Sequence, residues 1–155
     1  MIEIRPALAS DSAALAGLRW AFRAGRAPAV ENEAAFLARC DAWMAREIAS
    51  GSPWRCWVAS RDSAIVGQVW LQLLSKLPNP VGERDRHAYL SNLYVIPAAR
   101  GGVGTRLLES ALAWAEENRV DRVVLWPTPD STRLYERHGF VRVGDVMEMT
   151  CGQPS

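Results

Sequence analysis

Residues 95–108 read VIPAARGGVGTRLL and place glycines at 101, 102 and 104, between an apolar strand-like run and an amphipathic helix. Glycine costs backbone entropy, so such a cluster needs a reason. A strand, a glycine-rich turn and a helix start can hold an anion. The first N–H groups of a helix lack partners within it, and its dipole adds about half a positive charge there. Glycine lets a phosphate approach that backbone closely. Arg100 can add a charge-assisted bond. The alternative is a tight turn that needs glycine only for its dihedrals. Two phosphate motifs are excluded. No Gly-Lys pair of the P-loop type is present. The dinucleotide pattern G-x-G-x-x-G would need glycine at 107 after Gly102 and Gly104, where leucine stands.

The elements that must position this loop follow from periodicity. IEIRPAL, 2–8, alternates and reads as a strand. Ser10 or Asp11 can cap a helix with Leu15, Leu18 and Phe22 on one face. A second helix, 31–50, carries Phe36, Leu37, Cys40, Trp43, Met44 and Ile48 on one side. WRCWVASRD, 54–62, and SAIVGQVWLQLLS, 63–75, read as strands joined by a polar turn at Asp62 and Ser63. The loop KLPNPVGERDRH leads to the strand HAYLSNLYV, 87–95. The helix after the glycines has Leu107, Leu108, Ala111, Leu112 and Ala115 on a broad apolar face. RVVLW, 122–126, is a short strand of buried type, and STRLYERHGF is a short helix closed by Gly139 in the left-handed region. VRVGDVMEMTC, 141–151, alternates as a final strand. This order predicts an α+β fold, a mixed sheet with helices on both faces. The 88–126 piece should be a right-handed parallel crossover.

The chain has 155 residues, 49% of them hydrophobic, which fits one domain over 1–155. A net charge of +1 gives no reason to expect nucleic acid or a charged membrane surface. No stretch approaches the roughly 18 apolar residues of a membrane span. Met1 leads into IEIRPAL without a signal-type segment, so a cytoplasmic location is expected. Three scattered cysteines make no disulfide framework, and two histidines make no His-rich metal site, so no metal is expected. Cys56, in WRCWV, reads as core rather than nucleophile.

Together these stretches resemble the GNAT superfamily of acetyl-CoA-dependent N-acetyltransferases. YLSNLYVIPAARGGVGTRLL is similar to that family's fourth strand, V-x-P turn and arginine/glycine pyrophosphate loop. RVVLW is similar to its fifth strand, and STRLYERHGF to its fourth helix, where Leu-Tyr-Glu and Gly-Phe are typical. The resemblance implies a mainly antiparallel mixed sheet of 6–7 strands, splayed between strands 4 and 5, with about four helices. Two departures stand out. The loop RGGVG is one residue shorter than Arg-Gly-x-Gly-x-Gly, so Arg100 aligns in two ways. The asparagine common after the fifth strand is replaced by Thr128, whose polar role could pass to Asp130 or Ser131.

The resemblance implies direct transfer of acetyl from acetyl-CoA to a neutral amine of a small molecule or peptide. Leu93, Tyr94, Val95, Arg100, Gly101, Gly102, Val103, Gly104, Thr105, Thr128, Ser131 and Tyr135 would hold the cofactor. Tyr135 matches the family's acid: a phenol with a pKa of about 10 is protonated at neutral pH and can donate to a thiolate. By composition alone it reads equally as a core aromatic. A backbone N–H at Tyr94 or Val95, where the family's strand carries a bulge, would face the developing oxyanion. Many members place a base six residues before the valine of V-x-P; here that residue is Tyr89. Other bases are His87, Glu83 and Asp85, Asn92 through a water, or Glu31 and Glu33. Trp20, Glu31, Trp43 and Tyr89 are candidate walls of the acceptor pocket, suited to a cationic amine. A homodimer is conceivable through pairing of VRVGDVMEMTC. Two other readings compete: an acyl-CoA-binding sensor without turnover, and an interaction protein whose glycine loop is structural.

Overall fold

A computed structural model describes residues 1–152. Their contacts divide the chain into two compact units, 1–125 and from Trp126 on. The first unit holds β1 (Ile2–Pro6), α1 (Ser12–Ala24), α2 (Glu33–Ala49), β2 (Trp54–Arg61), β3 (Ala64–Ser75), β4 (Arg86–Val95), α3 (Val103–Glu117) and β5 (Arg122–Val124). The second holds α4 (Thr132–Arg137). The sheet runs β1-β2-β3-β4-β5, antiparallel except for the parallel pair β4 and β5.

The β2–β3 hairpin closes through Asp62 and Ser63, both at positive φ (49° and 66°), the geometry of a primed turn that matches strand twist. One face of the sheet carries Trp70, Val58 and Cys56, packed with Leu15, Ala16 and Met44 of α1 and α2. Gln68 on that face is fully buried and satisfied. Its Nε2 donates to the Leu15 carbonyl (3.2 Å), and its Oε1 accepts from Trp70 Nε1 (2.8 Å). This bond pins α1 to β3. The neighbouring Gly67 points the other way. A Cβ there would meet Leu107 Cδ1 and Val95 Cγ2, each at 3.1 Å. Glycine thus lets α3 and the end of β4 close onto β3.

Three expectations are corrected. The sheet has five strands among the described residues, not six or seven. VRVGDVMEMTC forms no strand, and Val141, Val146 and Met147 are exposed. Alternation there supplies a face but no partner edge. Neither Ser10 nor Asp11 caps α1 with its side chain. Asp11 instead accepts the Leu8 amide (2.8 Å) and a two-pronged bond from Arg5 (2.8 and 3.0 Å). The Arg5 hydrogen bond holds the Asp11 carboxyl below its ordinary value, against the effect of burial.

Candidate functional site

The strand β4 is irregular where it matters. Gln68 faces Tyr94 and Trp70 faces Ser91, so Val69 alone spans Asn92 and Leu93. This is a β-bulge, and Asn92 takes φ +57°, a region asparagine tolerates better than most residues. The bulge sits just before the Tyr94–Val95 position expected from sequence. It resets the alternation: Ser91 and Tyr94 now share the face of Trp70 and Gln68. On its other edge, β4 pairs with β5 only through His87, Ala88 and Tyr89.

After Val95 the chain makes a short turn at Pro97–Ala99 and reaches α3 through Arg100, Gly101 and Gly102. Gly101 (φ 115°) and Gly102 (φ 88°) occupy the left-handed region, so dihedrals account for both. Gly104 is different. It lies in the first turn of α3, and a Cβ there would meet nothing nearer than Val95 Cγ2 at 4.0 Å. Neither backbone angle nor protein packing demands glycine at this point. No side chain caps the start of α3, while Val103 is buried and anchors it. Thr105 is half-buried beside it. Arg100 turns back, its Nε donating to the Val95 carbonyl (3.3 Å).

The α1 side of β4 is lined by groups from two elements. Arg19 Nη1 donates to Asn92 Oδ1 (3.3 Å). The Phe22 ring packs on Tyr94, centroids 5.3 Å apart. Leu93 is half-buried. Trp20 stacks obliquely on Phe36 (5.5 Å). Trp43 packs against the core with Trp54 and Trp70, so its ring is taken up by packing. Glu31 is ion-paired with Arg39. Tyr89 is half-buried, opposite Gln72 and Val124.

His87 lies at the N-terminal end of β4, its Nε2 3.6 Å from Asp121 Oδ2. At about 3.3 Å per residue it stands roughly 16 Å along the strand from Asn92. The structure does not bring those two together. Glu83 is bound to Lys76 (3.0 Å), and Asp85 is exposed.

In the second unit, Thr128 and Ser131 serve each other. The Ser131 hydroxyl accepts the Thr128 amide (3.0 Å), and the Thr128 hydroxyl donates to it (2.9 Å). Asp130 is exposed. Tyr135 is buried, packed on Phe140 (5.5 Å), and Gly139 (φ 87°) ends the helix as expected. Burial pushes the Tyr135 hydroxyl up to about 12, with Ser131 hydrogen bonding pulling weakly the other way. Its proton is therefore secure at neutral pH.

Sequence reasoning passed over Arg19 as a site residue. Its only sequence cue is that it lies one turn after the buried Leu15, on an α1 that lacks any acid. Among the described residues no cluster of three or more His, Cys, Asp or Glu could hold a metal ion, and no helix is long and apolar enough to cross a membrane.

The acetyltransferase (GNAT) family profile matches residues 18–140, from within α1 to Phe140, just past α4. The chain belongs to the GNAT acetyltransferase family. No curated protein sequence matches this GNAT chain. Solved structures do. A GCN5-related N-acetyltransferase from Ralstonia eutropha JMP134 is 25% identical, with TM-score 0.80 over 98% of this chain and 100% of that one. A predicted acetyltransferase from Clostridium acetobutylicum, solved with acetyl-CoA, is 20% identical, with TM-score 0.77 over 97% and 96%. Glucosamine-6-phosphate N-acetyltransferase from Arabidopsis thaliana is 15% identical, with TM-score 0.68 over 97% and 98%. The last two likenesses are of fold.

Proposed function

We propose that this protein is an acetyl-CoA-dependent N-acetyltransferase that acetylates a primary amine of a small molecule or peptide. The observation that carries the reading is the start of α3. Its first turn is uncapped, and its third glycine, Gly104, leaves space that the protein itself does not use. Anions are held at such a helix start by backbone amides and dipole together. The amides of residues 103–105 would hold the pyrophosphate. Arg100, with its Nε committed to Val95, keeps its remaining guanidinium donors for the same group.

When bound, acetyl-CoA supplies the activated acetyl thioester. The chain's own part is placement and proton control. The edge of β4 beyond Tyr89 is outside the β5 ladder, so its peptide groups are available to a bound acyl arm. The Asn92–Leu93 bulge breaks the ladder toward β3 as well, which suits an N–H of this stretch to meet a carbonyl oxygen. Tyr135 holds the proton that a departing thiolate needs.

The test combines two measurements on the purified chain. Acetyl-CoA should raise the melting temperature, because it binds only the native state. Free thiol should then be released when a panel of amines and peptides is added, with acetylated product seen by mass spectrometry. Stabilisation without thiol release or product would favour the sensor reading, which the absence of a carboxylate at Tyr89 supports. No stabilisation would contradict both.

A further inference from the structure

Arg19 and Arg23 lie on α1, and Arg26 follows just past its end, at spacings of four and three; the helix carries no acid. Like charges at these spacings repel on a helix surface. Arg5, Arg39, Arg46 and Arg122 each sit in an ion pair. Among the described residues, no carboxylate pairs with Arg19, Arg23 or Arg26.

Arg19 is the most demanding of the three because it is half-buried. A guanidinium presents five N–H donors, and among the described residues the one side-chain bond it makes is to the neutral amide of Asn92. Burial, together with the charge of Arg23, pulls it below the ordinary arginine value. A half-buried cation without an anion bears part of the desolvation cost, and a ligand anion would relieve it. The stripe also reaches the reacting strand. Arg19 touches the bulge at Asn92, Phe22 packs on Tyr94, and Arg26 lies 4.8 Å from the Phe22 centroid. Arg23 is 5.9 Å from that centroid.

We propose that Arg19, backed by Arg23 and Arg26, binds an anionic group, carboxylate or phosphate, carried by the amine acceptor. The assignment rests on the acetyltransferase reading for the reaction itself. It reverses the cationic acceptor suggested by Trp43 and Glu31, which the fold commits to core packing and to Arg39. Binding the acceptor by its anion leaves its amine free for transfer and disfavours polycationic amines by repulsion.

The test uses two matched pairs: glycine with glycinamide, and glucosamine 6-phosphate with glucosamine. The first readout is the Arg19 Nε–Hε signal of the labelled wild-type chain, assigned by its loss in Arg19→Gln. It should move with the anionic member of at least one pair and not with the neutral member; which pair responds separates carboxylate from phosphate. The second is thiol release from acetyl-CoA. Arg19→Gln should lower kcat/KM for the responding anion about tenfold more than for its partner without the anion, the loss of one charge-assisted contact. Arg19→Lys should recover part of the preference and serves if the glutamine variant does not fold. An Arg19 signal unmoved by both anions, or equal losses for both members of each pair, would overturn the assignment. A signal that moves while no amine yields thiol would keep the anion site and defeat the acetyltransferase reading.

Discussion

The two ends of β4 both carry charge, and they treat it in opposite ways. At the N-terminal end, Lys76 bonds Glu83 (3.0 Å) and Asp121 (3.4 Å), and His87 lies 3.6 Å from the same Asp121. Lys76, Glu83 and Asp121 answer one another within the protein. At the C-terminal end, Arg19 bonds the neutral Asn92, no acid pairs with Arg19, Arg23 or Arg26 among the described residues, no side chain caps α3, and a Cβ at Gly104 would meet nothing nearer than 4.0 Å. The first end is ion-paired within the protein, although His87 Nε2 is buried there without a hydrogen-bond partner. The other leaves donors unmet, the state of a surface built for an anionic ligand.

The sharpest way to probe this contrast starts in the second unit. Tyr135→Phe should lower kcat about a hundredfold while leaving acetyl-CoA affinity nearly unchanged, because it deletes one proton donor and little area. Steady-state thiol release and calorimetry separate the two effects; unaltered turnover would remove the acid role. The same variant tests the proton itself. The unfolded tyrosine ionises near 10 and the folded one near 12, so the unfolded chain loses this proton first as pH rises. The stability it contributes should fall through that window, and the tyrosinate absorbance step near pH 12 should vanish in the variant.

Next in size is Gly104→Ala. A methyl there clears the protein and removes a helix-interior glycine, so stability should rise by up to about 1 kcal/mol. Acetyl-CoA affinity should nevertheless fall about tenfold, since the methyl enters the anion's approach. A rise in both would show that Gly104 faces no ligand. Asp11→Asn removes a self-answered charge remote from β4. It should cost about 1 kcal/mol of stability, read from urea midpoints, with kcat/KM unchanged. The lowered Asp11 carboxyl contributes stability above the unfolded value of 3.8 that is lost as pH falls below it, so acid sensitivity should weaken in the variant. The smallest effect is expected at the N-terminal end: His87→Gln should change kcat/KM by less than about threefold, as His87 stands roughly 16 Å along the strand from the bulge. A larger loss would make that end functional and undo the contrast.

Much of this was legible in the sequence. The hairpin at Asp62–Ser63, the strand–turn–helix at 95–108 and the left-handed Gly139 follow from alternation and glycine placement, which are local rules. The tail 141–151 misled because alternation defines a face and says nothing about a free edge to pair with. The bulge at Asn92 left only the weak cue that asparagine tolerates positive φ. Arg19 was hidden for a different reason. An arginine's lack of a partner is a statement about every carboxylate in three dimensions, and no spacing along one helix contains it. Trp43 shows the converse: its type suited a pocket wall, and the position of α2 made it core.

The central claim is that the C-terminal end of β4, and not its N-terminal end, receives the cofactor. It is tested most directly by titrating the amide 1H–15N spectrum of the chain with acetyl-CoA. The account predicts that the amides of Gly101 to Thr105 move first and furthest, while those of Lys76, His87 and Asp121 stay in place. Shifts centred on Lys76, His87 and Asp121, or no shift at Gly101 to Thr105 with saturating acetyl-CoA, would contradict it.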